Sequence, residues 1–300
     1  MSARVGYHRS VLAPGSRIAV VSPSGIFDSA RLERGIHEVR TWGFELVEAR
    51  NLGARHRYTA GTVVQRAEDL RWALTAPEID AVWFARGGFG TAHLLSELPW
   101  DELDDRPVIG FSDATALFCA QHRMGHGRGI HGPVLHSLCD HTDEPSRTWL
   151  RSLLVEGRTG PLPVHHLAGS EQTVRGPVIG GNLSLLASLV GTPWAPRTEG
   201  CILVIEDVAE PPYRIDRMLS QLLQSGVLQG VAGLVLGEFE GCSVPDQVDW
   251  TLEEMILDLV RGLGIPVYGG LPVGHGSQNF AWIHGASAAL DEHGLHVGVG

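Results

Sequence analysis

The chain predicts an α/β fold: a doubly wound, mainly parallel sheet domain followed by a smaller mixed α/β domain. Three observations carry this reading. Short apolar runs alternate with amphipathic segments from Arg17 to Met124, the runs end at glycines or small polar residues, and the alternation lapses between Gly157 and Val174 before resuming.

Arg17 to Ser22 (RIAVVS) reads as a strand, and Pro23-Ser24-Gly25 as the turn after it. A helix is expected from Asp28 to Trp42, because Leu32, Ile36, Val39 and Trp42 recur at helical spacing with Asp28 or Ser29 as cap. Phe44 to Val47 reads as the second strand. Thr62 to Leu74 is a helix stopped near Pro77, followed by the strand Ala81 to Ala85, the turn Arg86-Gly87-Gly88-Phe89-Gly90 and a short helix from Thr91 to Leu98. Val108 to Gly110 and Asp113 to Met124 add one more strand and helix, and Glu144 to Glu156 is helical. Gly160-Pro161, Pro163, His165 and His166 then mark a connection, which divides an amino-terminal domain (1–160) from a carboxy-terminal one (170–300). In the second half, strands are expected at Val174 to Ile179, Ile202 to Ile205, Leu234 to Leu236 and Val267 to Tyr268. Helices are expected at Leu183 to Leu189, Tyr213 to Leu223 and Leu252 to Leu263, and the turn-rich tail Ala281 to Val299 reads as a β-hairpin.

Composition narrows the function. At 300 residues and 43% hydrophobic content the chain buries a substantial core. A formal charge of -11 argues against a nucleic-acid or anionic-membrane surface, which needs clustered Lys and Arg, and leaves a small molecule or peptide as partner. Met1 to Arg17 lacks the pattern of a secretory signal and no apolar run reaches the ~18 residues of a membrane span, so a soluble cytoplasmic protein is expected. Cys119, Cys139, Cys201 and Cys242 form no C-x-x-C pair and read as buried thiols.

The richest stretch is Val108-Ile109-Gly110-Phe111-Ser112-Asp113-Ala114. An apolar run stops at a glycine and a serine opens a helix, as in a nucleophile elbow, where a tight strand-to-helix turn lifts the hydroxyl clear and leaves the next N–H for an oxyanion. Plain N-capping by the Ser-Asp pair explains the same residues. A serine nucleophile needs a base and an acceptor to orient it. Glu206 and Asp207 end the apolar run Cys201 to Ile205, at the carboxyl end of a strand where α/β folds place their sites. Glu210 is spaced to pair with Arg214, and Glu206 suits either structure or catalysis. Among fifteen histidines, His275 lies in the glycine-bearing loop Leu271-Pro272-Val273-Gly274-His275-Gly276-Ser277. His122, His126, His131, His136 and His141 raise a metal alternative, with His122 and His126 one helical turn apart but without the H-E-x-x-H glutamate. The glycines of 86–90 do not fit a nucleotide cradle. They fit an oxyanion hole completed by the Asp113 amide, with Arg86 holding a substrate carboxylate.

Taken in order, Ala85-Arg86-Gly87-Gly88-Phe89-Gly90, Gly110-Phe111-Ser112-Asp113, His131-Gly132-Pro133, Gly180-Gly181-Asn182-Leu183, Ile205-Glu206-Asp207 and Gly274-His275 closely resemble the L,D-carboxypeptidase family of serine peptidases, which includes the microcin C immunity peptidases. The resemblance runs from about Arg17 to the end of the chain and implies a Ser-His-Glu triad at Ser112, His275 and Glu206. It also implies a homodimer and no cofactor or metal. The implied reaction releases the terminal D-alanine of a murein tetrapeptide during cytoplasmic wall recycling. An acyl-aminoacyl nucleotide is the substrate in the microcin branch. Glu206-Asp207-Val208-Ala209-Glu210 with Tyr213-Arg214-Ile215-Asp216-Arg217, and the compact chain, look more like the carboxypeptidase branch. Phe89 and Phe111 stand where many relatives carry tyrosine. Expected roles are therefore Ser112 as nucleophile, His275 as base, Glu206 as its orienter, Gly88 and Asp113 (or Gly87) as oxyanion donors and Arg86 with Gly87 at the substrate. A non-catalytic protein gripping a sugar or nucleotide is the rival from another class.

Overall fold

The computed structural model describes residues 12–157 and 159–298, and in that span the chain builds two sheets. The first half supplies β1 (Arg17–Val21), α1 (Ser29–Thr41), β2 (Glu45–Glu48), α2 (Val63–Thr75), β3 (Ala81–Phe84), β4 (Pro107–Gly110), α3 (Ala114–Met124), β5 (Arg128–His131), α4 (Leu135–Leu138) and α5 (Glu144–Glu156). Helix starts follow local chemistry. Asp28 accepts from Arg31 N–H at 2.9 Å, and Thr62 and Gln65 form a reciprocal capping box at the head of α2.

The second half supplies β6 (His165–Ala168), β7 (Val174–Asn182), α6 (Leu183–Ser188), β8 (Ile202–Val208), α7 (Pro212–Gln224), β9 (Gly233–Glu240), α8 (Leu252–Val260), β10 (Val267–Gly269), β11 (Trp282–Ile283), β12 (Ser287–Asp291) and β13 (Gly294–Val297). The expected terminal hairpin is β12 with β13, paired antiparallel.

The first sheet has the order β11-β5-β4-β3-β1-β2, with β5, β4, β3, β1 and β2 parallel. That order reverses between β1 and β3, the point beyond whose carboxyl ends open α/β sheets place their ligand sites. The second sheet runs β13-β12-β7-β8-β9-β10-β6. Its parallel centre, β7 to β10, is flanked by antiparallel strands on both sides.

Among the elements that depart from the sequence expectation, three bear on the site. Thr91–Glu97 is a 3-10 helix, with Thr91 N–H bonded to the Asp113 carboxylate at its start. β5 carries no apolar run, because Arg128, Gly129 and His131 are buried by tertiary contacts that no propensity anticipates. β6 forms inside the expected connection and completes the edge beside β10. The cysteines also differ in one case: Cys119, Cys201 and Cys242 are buried, but Cys139 is only half-buried.

The helix that matters most is α3. Every residue from Ala114 to Gln121 is buried, since the helix lies between the first sheet and the β7–α6 segment of the second half. One apolar cluster runs through it, joining Leu94, Leu117 and Phe118 to Leu183, Ile205 and Leu236. Trp282 and Ile283 pair with His131 and Ile130, so late residues complete the first sheet. The amino end of α3 is thereby held where the two halves meet. Among the described residues no helix is long and apolar enough to cross a membrane.

Candidate active site

Ser112 sits between the end of β4 and the start of α3 with φ 59, one of three described non-glycine residues at positive φ. A side chain in that region costs about 1–3 kcal/mol and persists only where packing enforces it. Here the enforcing contacts are specific. Ala114 and Thr115 N–H groups bond back to the Phe111 and Ser112 carbonyls, closing the turn tightly. Gly87 approaches so closely that a Cβ there would lie 3.1 Å from Ser112 Cβ and 3.2 Å from its Oγ. The serine remains half-buried.

Asp113 does not cap α3, so simple N-capping does not explain the Ser-Asp pair. Its carboxylate, fully buried, accepts from Ser24 Oγ at 2.5 Å and from Thr91 N–H at 2.8 Å. Burial raises its pKa, and those hydrogen bonds pull it back in part. Arg66, also buried, donates to the Pro23 and Gly90 carbonyls, fastening the same loop from the other side. The loop 86–90 is thus clamped at Gly90 and Thr91, and Gly25 N–H bonds the Gly87 carbonyl at 3.1 Å. Among the described residues the N–H groups of Gly88 and Asp113 donate to no protein group. Ser24 and Thr91 escaped the sequence reading. Their signal was position, Ser24 in the turn after the first strand and Thr91 at the close of the glycine turn.

Glu206 lies near the carboxyl end of β8, beside Asn182 at the end of β7, and is 0% exposed. Its Oε2 meets His275 Nδ1 at 2.7 Å. Burial raises the Glu206 pKa, opposed by the hydrogen bond and charge of His275. For His275, burial pulls the imidazole down, but the bond and charge of Glu206, with Asp207 and Glu238, outweigh it and the net shift is upward. The imidazole packs on Phe111, the residue before the serine, with ring centroids 4.8 Å apart. Ser112, Glu206 and His275 thus come from the ends of β4, β8 and the loop after β10 into one neighbourhood.

Other candidates resolve differently. Arg86 is exposed and donates to the Ile26 carbonyl, at the rim of the glycine loop. Asp207 is structural: it accepts from Asn182 Nδ2 and Ser184 Oγ, tying α6 to β8. Glu210 pairs with Arg214 at 3.3 Å, as its spacing predicts. The histidine series disperses. α3 ends at Met124, so His126 is off the helix and shares no face with His122. His122 lies 4.0 Å from Cys201 Sγ, His131 is stacked on Trp282 in the core, and His141 Nε2 meets the His275 carbonyl at 2.7 Å. Among the described residues no three His, Cys, Asp or Glu side chains gather as metal ligands.

Comparison with known proteins places the whole chain in one family. Residues 18–132 match the model of the LD-carboxypeptidase N-terminal domain and residues 175–290 that of the LD-carboxypeptidase C-terminal domain. The murein tetrapeptide carboxypeptidase of Pseudomonas aeruginosa is 40% identical over 289 residues, covering 92% of this chain and 93% of its own. The crystal structure of a muramoyltetrapeptide carboxypeptidase from Oxalobacter formigenes superposes with a TM-score of 0.83 at 30% identity, over 95% of this chain and 99% of that one. The structure of MccF in complex with glutamyl sulfamoyl guanosine shares the fold, with a TM-score of 0.85 at 23% identity over 96% and 97% of the two chains. Two successive domain matches and relatives alike over nearly the whole length lead to one assignment: the chain belongs to the LD-carboxypeptidase family and is a serine-type carboxypeptidase.

Proposed function

We propose that this enzyme releases the terminal D-alanine of a murein tetrapeptide through a Ser112-His275-Glu206 triad. Ser112 Oγ attacks the scissile carbonyl while His275 Nε2 takes its proton, and the same imidazole returns it to the leaving amine of D-alanine. Water then hydrolyses the acyl-enzyme by the same route. Glu206 holds Nδ1–H and stabilises the imidazolium that forms. The amides of Gly88 and Asp113, with Gly87 as the alternative to Gly88, receive the oxyanion; each such donor is worth about 10²–10³ in rate. Arg86 takes the substrate carboxylate at the rim, beside Gly87.

The observation that carries the reading is the positive-φ serine packed under Gly87, with the adjacent Phe111 ring against an imidazole already bonded to a buried carboxylate. Substrate identity rests on the named activities of the relatives in Pseudomonas and Oxalobacter. The same reading puts the enzyme in the cytoplasm as a homodimer, checked by fractionation and light scattering. The deciding experiment is mass spectrometry after incubation with a murein tetrapeptide, its all-L isomer and an aspartyl-adenylate mimic. Loss of only the terminal D-alanine is expected, and Ser112→Ala lowers turnover by up to roughly 10⁶. A folded Ser112→Ala protein with undiminished activity would overturn the nucleophile assignment.

A further inference from the structure

The loop that carries His275 is held by more than its bond to Glu206. Gly276 N–H donates to Glu238 Oε2 at 2.8 Å, and Glu238 N–H donates to the Val273 carbonyl at 2.8 Å, so one residue of β9 grips the loop on both sides of the histidine. The side chain fills the space that the flanking glycines leave open. A Cβ on Gly276 would lie 2.2 Å from Glu238 Oε2, and one on Gly274 would lie 2.8 Å from Glu238 Cβ. Gly237 completes the close approach, because a Cβ there would meet the Val273 carbonyl at 2.6 Å and Glu206 Cβ at 3.2 Å. The glycines around His275 therefore answer to a particular neighbour, Glu238, and not to a general need for a flexible loop.

We propose that Glu238 is a positioning residue for the base, bracing the 273–276 loop so that the His275 imidazole stays on Glu206 and faces Ser112; this rests on the triad reading above. From the opposite side, His141 Nε2 donates to the His275 carbonyl and Asp143 N–H donates to the Ser277 carbonyl at 2.8 Å, which ties the loop to the segment after α4. With both braces in place the ring has little freedom. A catalytic group displaced by about 1 Å loses roughly 10² in rate.

Glu238 also contributes charge. The groups facing His275 are Glu206 and Asp207 from β8, Glu238 from β9, His131 from β5 and His141 at the carbonyl. The three carboxylates favour the imidazolium, so removing one lowers the pH at which the base is deprotonated.

The test uses the full chain with Glu238→Gln and Glu238→Ala, each also in a His275→Ala background, measured as D-alanine release across pH. Glu238→Ala should lower kcat by about 10- to 100-fold with KM changed by less than roughly threefold. Glu238→Gln keeps an acceptor for Gly276 N–H and should recover to within about fivefold of wild type. In both variants the acid limb should move to lower pH. Wild-type kcat in Glu238→Ala, equal loss in the two variants, or an unmoved limb in Glu238→Gln overturns the proposal; the last holds even where Glu238→Ala does not fold. In folded His275→Ala protein a further loss from Glu238→Ala also overturns it, since the residue would then act elsewhere. Full activity of His275→Ala alone would instead refute the triad reading itself.

Discussion

Gly87→Ala asks whether the tight approach of the glycine loop to Ser112 is what makes the site work. The added Cβ would stand 3.1 Å from Ser112 Cβ and 3.2 Å from Oγ. Comfortable carbon contacts begin near ~3.5 Å, so one side must yield by a few tenths of an ångström. Retreat of the serine is limited by its own backbone, because a φ of 59 leaves no relaxed alternative nearby and the turn is closed by the Ala114 and Thr115 N–H bonds. If about 1 Å of misplacement costs roughly 10²-fold, a shift of half that size predicts about a tenfold loss in kcat. Displacement of an oxyanion donor along with the loop raises the loss toward about 10²–10³. Crowding should cost about 1–3 kcal/mol of stability, read by thermal melting. The assay is steady-state release of D-alanine, with Gly262→Ala as control because a Cβ there meets nothing within 4 Å. A folded Gly87→Ala enzyme with the turnover of the control would refute the claim that this contact positions the nucleophile.

Two further outcomes follow from the ionisable groups. His275 must be neutral to take the serine proton, and its pKa is raised above 6.5 by Glu206 against the downward pull of burial, so kcat/KM should rise with pH through a limb above 6.5; a limb below 6.5 contradicts the pairing. His131 is buried without a hydrogen-bond partner, and burial pulls its pKa down to about 3. Its unfolded-state value is about 6.5, so the unfolded chain binds the proton first and stability falls as pH drops from about 6.5 toward 3, by about 2 kcal/mol at pH 5. His131→Gln should flatten the fall in melting temperature between pH 7 and 5, and an unchanged slope would show that other groups carry it.

Much of the parallel architecture was legible because β1, β3 and β4 are short apolar runs closed by glycine or a polar turn. The tight turn at Ser112 was legible for the same reason, since Gly110-Phe111-Ser112-Asp113 marks a strand giving way to a helix. β5 and β6 were not. Arg128, Gly129, His165 and His166 look like turn residues, and only the neighbouring strands give their backbone groups partners. Asp113 was noticed for its amide, yet its side chain makes the decisive bonds, to Ser24 and Thr91 across 89 and 22 positions of sequence. Glu238 left no mark at all, being one acidic residue in a strand of mixed polarity.

What the order of residues determined by itself was the periodicity of elements and the chemical types available at strand ends: a serine after β4, a carboxylate near the end of β8, a histidine between glycines. Those depend on contacts within a few residues, which local pattern records. What only the tertiary structure decided was which of these groups meet. Burial of α3 between two sheets sets Phe111, the residue before Ser112, against the His275 ring, and long-range packing desolvates the Glu206 carboxylate that His275 meets. Such juxtapositions arise from the summed burial of distant surfaces, so no short window of the chain contains them.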